Sequence, residues 1–154
     1  MTYLKKVMLY SLFLALMLTI AVRFVEATSM NFTVHGGEET TKPISLAVED
    51  HVLLRFTVIG QTANTLYFYM TYPNGTVKDF GIRGELEYSF ICDTEGEYVL
   101  HFNNTDSTED KLVTLNYEVD HYIFGMPQML FLTVIIVLVS VAAVAVFILM
   151  GKTH

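Results

Sequence analysis

The chain has 154 residues, of which 53% are hydrophobic and 16% are charged, and its mean hydropathy is +0.45. This composition excludes a disordered polar protein and indicates that apolar membrane segments raise the average. Sixteen acidic residues against nine lysines and arginines give a formal charge of −7 without any basic cluster, which argues against a nucleic-acid partner.

The N-terminal segment predicts a signal peptide. Lys5 and Lys6 supply a positive region, residues 7–22 form an uncharged apolar run, and residues 25–27 resemble a small-residue cleavage site. A helix of that run spans about 24 Å, which is less than the ~30 Å hydrocarbon core of a bilayer. We therefore predict that residues 1–27 are a signal peptide cleaved after Ala27, with a retained signal anchor as the alternative.

Residues 28–124 predict an external all-β domain. Apolar residues alternate with polar ones in seven or eight short runs, which are separated by turn signals and show no helical periodicity. Antiparallel strands with one apolar face must bury that face against a second sheet, so the predicted fold is an antiparallel β-sandwich, jelly-roll or immunoglobulin-like. The alternating runs are 30–34, 44–48, 52–58, 66–72, 77–80, 86–90, 98–102 and 113–119.

The surface of this domain offers two kinds of candidate site. It carries 15 acidic and 5 basic residues, a formal charge of −10, which either attracts cations or keeps the exterior soluble. Asn31, Asn74 and Asn103 begin N-x-[S/T] sequons and are candidate glycosylation sites of a glycoprotein. Tyr67 and Tyr69 are predicted to point outward from one strand as a partner surface; the alternative is that neighbouring strands cover both rings.

The C-terminal region predicts a transmembrane helix over residues 127–150. Residues 130–150 carry no charge, and 15 of these 21 are Leu, Ile, Val or Phe. Acidic residues precede this run and Lys152 follows it, so residues 151–154 are predicted to be a cytoplasmic tail. The protein is then single-pass with its N-terminus outside, in the cell membrane or facing an endomembrane lumen, and the lipid bilayer is one of its partners.

Within the predicted helix, small residues allow weak self-association and therefore a homo-oligomer. Thr133, Ser140, Ala142 and Ala143 form a small-residue patch, although no G-x-x-x-G motif is present. The span contains no ionisable residue, which argues against a transport pathway.

Catalytic and metal-binding motifs are absent from the sequence, and we predict a non-enzymatic protein without a cofactor. No nucleophile elbow, phosphate-binding loop or dinucleotide fingerprint occurs. A lone cysteine, Cys92, excludes an internal disulfide and a cysteine-rich zinc site. A copper site would combine Cys92, His101 and a methionine, but the nine-residue gap is longer than the usual blue-copper loop. By strand parity His101 points away from the core, as a surface histidine.

The densest acidic loop contains Asp106, Glu109 and Asp110. Their oxygens could hold Ca²⁺, but their spacing differs from that of a recognised calcium loop, and a solvated loop is the simpler interpretation.

A run of aromatic and apolar residues at 66–72 enters the turn 73–75, and Gly84 opens the run that ends at Phe90. Gly96-Glu97-Tyr98 then opens the run to Asn103, and residues 111–113 follow. This arrangement, with the order signal peptide, sandwich, membrane helix and short tail, resembles the GOLD (Golgi-dynamics) domain of transmembrane cargo receptors. The paired cysteines, coiled coil and coat-binding tail signals of that family are missing, so the chain is similar to a reduced, archaeal-type relative.

The resemblance implies a β-sandwich fold and a protein-binding role in protein transport. We therefore expect a membrane protein whose external sandwich binds other exported or membrane proteins through a sheet face or edge. The alternative is an accessory subunit of a larger membrane complex that is held mainly by its transmembrane helix.

Overall fold

The computed structural model describes residues 27–151, without the side chains of residue 144 and residues 146–151. The predicted signal peptide lies outside the described residues except for Ala27, and so do residues 152–154 of the predicted tail. The chain divides into two compact units, of which one contains the eight long strands and the other contains the C-terminal helix.

Eight strands form two four-stranded antiparallel sheets, which confirms the predicted antiparallel β-sandwich. In sheet A the spatial order is β1 (Ala27–Val34), β8 (Lys111–Asp120), β3 (His51–Ile59) and β6 (Glu85–Ile91). In sheet B it is β2 (Glu39–Leu46), β7 (Gly96–Asn103), β4 (Leu66–Thr71) and β5 (Val77–Arg83). Strands that are distant in sequence therefore pair, such as β1 with β8 and β2 with β7.

Alternate residues of both sheets meet in one apolar core. Phe102 of β7 is fully buried, and its ring centroid lies 5.0–5.3 Å from those of Phe32, Phe56 and Phe68, which come from both sheets. Tilted and edge-to-face aromatic pairs at this separation add to the stabilisation from burial of the rings. The four phenylalanines therefore form contacts between the two sheets. The domain has one cysteine, which is buried, and no disulfide.

One predicted run is shorter in the structure. We expected the alternation at 44–48 to continue one strand through Val48, but β2 ends at Leu46 and the Val48 side chain is 51% exposed. A turn replaces the last part of the strand, because the Asp50 carboxylate accepts a hydrogen bond from the Ala47 N–H at 2.8 Å and Glu49 adopts a left-handed φ of 71°.

Another strand is longer than predicted. The run 77–80 extends to Arg83, but only through a β-bulge opposite Phe68 and Tyr69. Gly81 takes the left-handed φ of 73° at this bulge, a conformation that glycine adopts without steric cost. The bulge bends the outer strand of sheet B.

A buried amide holds together the loops at one end of the sandwich. Asn104 is 3% exposed, and its Nδ2 donates to the carbonyl oxygens of Val34, His35 and Glu109 at 2.8–3.3 Å. Because these carbonyls lie at the end of β1, directly after it and two residues before β8, one side chain connects the end of β1 to the segment that enters β8.

A short hairpin and one helix follow β8 in the chain. Strands β9 (Tyr122–Ile123) and β10 (Met126–Pro127) form the hairpin, and helix α1 spans Gln128–Gly151. Thr133 and Ser140 donate their hydroxyls to backbone carbonyls one turn earlier, at 2.8 and 2.7 Å. Over the described side chains alone, no helical stretch combines the length and the hydropathy that a membrane crossing needs.

Candidate functional site

The outer face of sheet B carries the most concentrated set of interacting polar and aromatic side chains. In β4, Leu66, Phe68 and Met70 point into the core, so the odd-numbered residues of the strand point outward. The register of sheet B places outward residues of four strands side by side: Tyr69 pairs with His101 and Asp79, Tyr67 pairs with Asn103 and Ile82, and Asn103 pairs with Glu39. The outer face of sheet B includes Glu39, Tyr67, Tyr69, Thr71, Val77, Asp79, Ile82, Glu97, His101 and Asn103.

The two tyrosines that the sequence singled out lie on this face, and neighbouring strands do not cover both of them. Tyr67 is 36% exposed, and Tyr69 is half-buried. The difference arises because the imidazole of His101 stacks on the Tyr69 ring, with centroids 4.2 Å apart and planes within 8°. The two tyrosine rings are themselves 6.0 Å apart.

Glu39 is the centre of a hydrogen-bond network on this face. Its carboxylate accepts from His101 Nδ1 at 2.7 Å, from the Tyr69 hydroxyl at 3.1 Å and from Asn103 Nδ2 at 3.0 Å. The donors come from β7 and β4, whereas Glu39 begins β2, so the network joins three neighbouring strands. Sequence parity predicted the outward direction of His101, but the network leaves its side chain only 17% exposed.

These contacts shift the ionisation of the network. Burial by itself raises the pKa of Glu39, but the hydrogen bonds from His101, Tyr69 and Asn103 outweigh it and hold the pKa below the usual 4.5. Burial and the hydrogen bond to Glu39 raise the pKa of the Tyr69 hydroxyl. The carboxylate therefore stays ionised and the phenol stays protonated near neutral pH.

A second pair fixes the more exposed tyrosine. The Tyr67 hydroxyl donates to the Asp79 carboxylate, whose other oxygen accepts the Gly81 N–H at 2.7 Å. The hydrogen bond from Tyr67 lowers the pKa of Asp79, and the same bond raises the pKa of Tyr67. Both tyrosines are thus held in fixed orientations by carboxylates, Tyr67 by Asp79 of β5 and Tyr69 by Glu39 of β2.

Thr71, His101 and Glu39 place a hydroxyl, an imidazole and a carboxylate in the order found in a catalytic triad. Thr71 Oγ1 lies 3.1 Å from His101 Nε2, and the other ring nitrogen lies 2.7 Å from Glu39. Acyl transfer also needs hydrogen-bond donors for the developing oxyanion. The backbone N–H next to Thr71 already donates to Thr76 at 2.8 Å. That N–H is therefore already engaged within the β4–β5 turn.

Exposed aliphatic side chains flank the tyrosines on the same face. Ile82 is 66% exposed beside Tyr67, and Val77 is 54% exposed beside Thr71. Sequence reasoning missed both residues. The bulge in β5 changes the residues that face outward, and the sequence pattern gave no sign of the bulge except Gly81 itself.

The three sequons lie in different surroundings. Asn31 is exposed on β1, and Asn74 is exposed in the β4–β5 turn, where its Oδ1 accepts the Thr76 N–H at 2.9 Å. Asn103 is half-buried on the outer face of sheet B, and its Nδ2 donates to Glu39.

The residues considered for copper do not converge. Cys92 is 1% exposed in the core, and its Sγ lies 3.4 Å from the Tyr98 hydroxyl, whereas His101 points out of sheet B. His35 contacts Asp110, His51 stacks on Tyr122, and His121 contacts Asp50. Across residues 27–151, no three His, Cys, Asp or Glu side chains are grouped to hold a metal ion.

The acidic loop considered for calcium uses its carboxylates within the protein. Glu109 accepts hydrogen bonds from Thr62 and Ala63 of the β3–β4 loop, and Asp110 accepts from His35 and from a backbone N–H of the β1–β2 loop. The Thr62 hydroxyl is the main cause that lowers the pKa of Glu109. Two of the three predicted oxygen donors thus connect loops at one end of the sandwich.

Comparison with protein-family models gives no match, and comparison with curated proteins gives none. Solved structures match at low similarity. Aeromonas hydrophila PliG, a periplasmic inhibitor of g-type lysozyme, is 12% identical, with 64% of this chain and 92% of that chain covered and a TM-score of 0.45. The Yersinia pseudotuberculosis-derived mitogen is 12% identical, with 65% and 91% covered and a TM-score of 0.43. At these TM-scores the likenesses carry no argument about function.

Proposed function

We propose that this protein is a non-enzymatic, membrane-attached binding domain that recognises another exported or membrane protein through the outer face of sheet B. The observation that carries the proposal is the row of exposed apolar and aromatic side chains on that face, Tyr67, Ile82 and Val77, beside two oriented carboxylates. Tyrosine is enriched at protein interfaces because its ring buries apolar area while its hydroxyl stays hydrogen-bonded.

Orientation of the tyrosines supports binding. The carboxylates of Asp79 and Glu39 hold the hydroxyls of Tyr67 and Tyr69, and the imidazole of His101 stacks against Tyr69. A side chain that is already held in one rotamer loses less conformational entropy when a partner covers it. The face is therefore prepared for association in the absence of a partner.

The charge of the domain defines the complementary partner. Residues 28–124 carry a formal charge of −10, and hydrogen bonds keep the pKa of both Glu39 and Asp79 below their usual values. A partner surface that presents lysine or arginine around an apolar centre matches this face, and opposite charge also accelerates encounter.

Membrane attachment by α1 is the second part of the proposal. The apolar run continues in the sequence beyond the described side chains, to Met150, and contains no charged residue. The hydroxyls of Thr133 and Ser140 are satisfied within the helix, as an apolar environment requires. The resemblance to GOLD-domain cargo receptors extends the proposal to a role in protein transport.

One observation favours the accessory-subunit role as a second candidate. Apolar side chains are exposed on most sides of the described part of α1, so a neighbouring membrane protein could pack against the helix as well as lipid could. The exposed residues are Leu130, Leu132, Val134, Ile135, Val137, Leu138, Val139 and Val141. In that role the helix makes the main contact, and the sandwich contributes little affinity.

Two exposed isoleucines allow a matched test. Ile82 on sheet B and Ile59 on β3 of sheet A are 66% and 59% exposed. A photo-crosslinking residue placed at Ile82 in the full chain, in native membranes, is expected to capture the partner, and the same residue placed at Ile59 is the control. With the purified partner, Ile82→Lys is expected to weaken binding at least tenfold, because it places a cation against a basic surface, while Ile59→Lys changes binding less than twofold.

The two roles give opposite results. Equal affinities of the two lysine variants would refute the proposed face. A partner that stays bound at full stoichiometry after the sandwich is deleted would refute binding by the sandwich and support the accessory-subunit role.

A further inference from the structure

Sheet A has an edge strand that combines an uninterrupted backbone with an acidic outer side. Edge strands expose unpaired backbone groups, and proteins protect them with prolines, bulges or charged side chains, lysine above all. At the edges of sheet B, β2 contains Pro43 and β5 contains the bulge at Gly81. In sheet A, neither β1 nor β6 contains a proline, a glycine, a lysine or a bulge. Of these two strands, β6 alone carries charged side chains, Glu85 and Glu87, which repel an acidic strand and attract a basic one.

The hydrogen bonds at the two ends of the β3–β6 ladder show which backbone groups of β6 point outward. Val58 N–H donates to the Gly84 carbonyl at 2.7 Å, and Cys92 N–H donates to the Asp50 carbonyl at 2.8 Å. In an antiparallel ladder every second residue bonds the partner strand, so the even-numbered residues of β6 face β3. The N–H and C=O groups directed away from the sheet belong to Glu85, Glu87, Ser89 and Ile91.

The side chains of β6 define what a new strand would meet. On the inner side, Leu86, Tyr88 and Phe90 are half-buried and pack against the core. The Tyr88 ring contacts Phe80 of β5 at 4.9 Å, so the two edge strands share an aromatic seam on one side of the sandwich. Lys78 of β5 lies over one part of this seam, with its Nζ 4.9 Å from the Tyr88 ring centroid. Apolar side chains of an added strand would cover the remaining exposed parts and extend the core.

On the outer side of β6, the charges favour a basic strand. Glu85 and Glu87 are exposed, and Arg55 of β3 contacts Glu87 at 3.0 Å while Glu85 has no cation beside it in the described part of the chain. Cross-strand pairs of opposite charge stabilise neighbouring strands. A second copy of this domain would bring two more glutamates and a further charge of −10 to the same edge, which disfavours self-association there.

We propose that β6 is a second recognition site, which binds an extended protein segment by antiparallel strand addition. The segment alternates lysine or arginine, placed beside Glu85 and Glu87, with apolar residues placed over Tyr88 and its neighbours. Backbone pairing supplies the affinity, and the two side-chain rows supply the specificity. This site is separate from the outer face of sheet B and does not depend on the function proposed for that face.

The probe is a fluorescent heptapeptide in which lysine alternates with valine, and it is added to the full chain in detergent micelles. In antiparallel addition each lysine opposite a glutamate of β6 directs its own N–H toward the edge, whereas each valine directs its N–H away. N-methylation of three lysine amides is therefore expected to weaken binding at least tenfold. N-methylation of three valine amides, at the same charge and with the same number of methyl groups, is expected to change it less than threefold.

Protein variants give a second matched pair. Ser89 of β6 and Ser45 of β2 are both exposed serines on edge strands. Glu38 and Asn104 bond across the β2–β7 ladder, so Ser45, like Ser89, directs its N–H away from its sheet. Ser89→Pro removes an outward donor from the proposed site and is expected to reduce peptide affinity at least tenfold. Ser45→Pro makes the same change at another edge and is expected to have less than a twofold effect.

Hydrogen exchange at single-residue resolution locates the peptide. Strand addition predicts that the peptide slows exchange of the Glu87 and Ser89 amides at least tenfold and leaves the amides of Tyr67 and Ile82 unchanged. Equal affinities of the two N-methylated peptides, or protection at Tyr67 and Ile82 in place of β6, would overturn the proposal. The second of these results would leave the function proposed for the outer face of sheet B intact.

Discussion

Replacement of Glu39 by glutamine tests whether the network on the outer face of sheet B stabilises the fold. The carboxylate accepts hydrogen bonds from His101, Tyr69 and Asn103, and it joins strands β2, β7 and β4. Glutamine keeps the length of the side chain and one acceptor oxygen, but it presents an amide NH₂ to donors that need an acceptor.

The expected loss follows from the number of bonds and the exposure of the site. A hydrogen bond contributes about 0.5–1.5 kcal/mol net to stability, and less where water competes for the groups. The Glu39 side chain is 28% exposed, and the glutamine oxygen still satisfies one of the three donors. We therefore expect a loss of about 1–2 kcal/mol at pH 7, which corresponds to about 5–10 °C in melting temperature for a domain of this size.

The pH dependence of the free energy of unfolding distinguishes the contribution of the Glu39 charge from the contribution of its packing. Because the folded state lowers its pKa below the usual 4.5, the unfolded chain binds the proton more readily, and the ionised carboxylate stabilises the fold. This contribution is fully present above about pH 4.5 and is lost as the pH falls through the folded-state pKa. The stability difference between the wild type and Glu39→Gln should therefore shrink toward zero in strong acid.

The assay is urea denaturation of the full chain in detergent, followed by far-ultraviolet circular dichroism, at pH 7 and pH 3. The matched control is Glu97→Gln on β7, since Glu97 is exposed on the same face and has no partner within the described part of the chain. We expect the control to change stability by less than about 0.5 kcal/mol. A Glu39→Gln loss that equals the control, or one that persists unchanged at pH 3, would refute the stabilising role of the carboxylate.

Three further predictions concern other parts of the sandwich. Asn104→Ala should cost about 1–3 kcal/mol, measured by urea denaturation, because three carbonyls lose their donor, whereas Asn116→Ala on the exposed side of β8 should stay near wild type. Phe102→Ala should cost about 3–5 kcal/mol in the same assay, because it opens a cavity among three other phenylalanines. Expressed in a glycosylating host, the folded fraction should carry sugar at Asn74 and little at Asn103, since the nitrogen of Asn103 faces Glu39; glycopeptide mass spectrometry that finds both sites equally filled would contradict this.

The strands of the sandwich follow closely from the alternation in the sequence. Phe56 and Phe102, for example, occupy inward positions as their parity predicts, because a strand that faces a core must place every second side chain there. The same reasoning failed at Val48, where the Asp50 carboxylate closes a turn. The prediction of outward residues also failed at Gly81. A β-bulge there adds one residue to the strand, and a strict alternation does not account for an added residue.

The candidate site was predictable only in part. The alternation of inward and outward side chains placed Tyr67, Tyr69 and His101 on outward positions. That prediction requires only that the strand of each residue be identified. It could not identify Glu39 as their common partner, because β2 and β7 are distant in sequence and nothing in either strand specifies that they pair. For the same reason the sequence did not reveal which strands lie at the edges of each sheet.

The buried thiol gives the domain an internal reporter of its own folding. Cys92 is 1% exposed, and it is the single cysteine of the chain. A thiol reagent can therefore modify one atom, and it reaches that atom when the surrounding core opens. Mass spectrometry of the labelled fraction over time would report the opening rate of the sandwich in the full chain, without a dye or a tag.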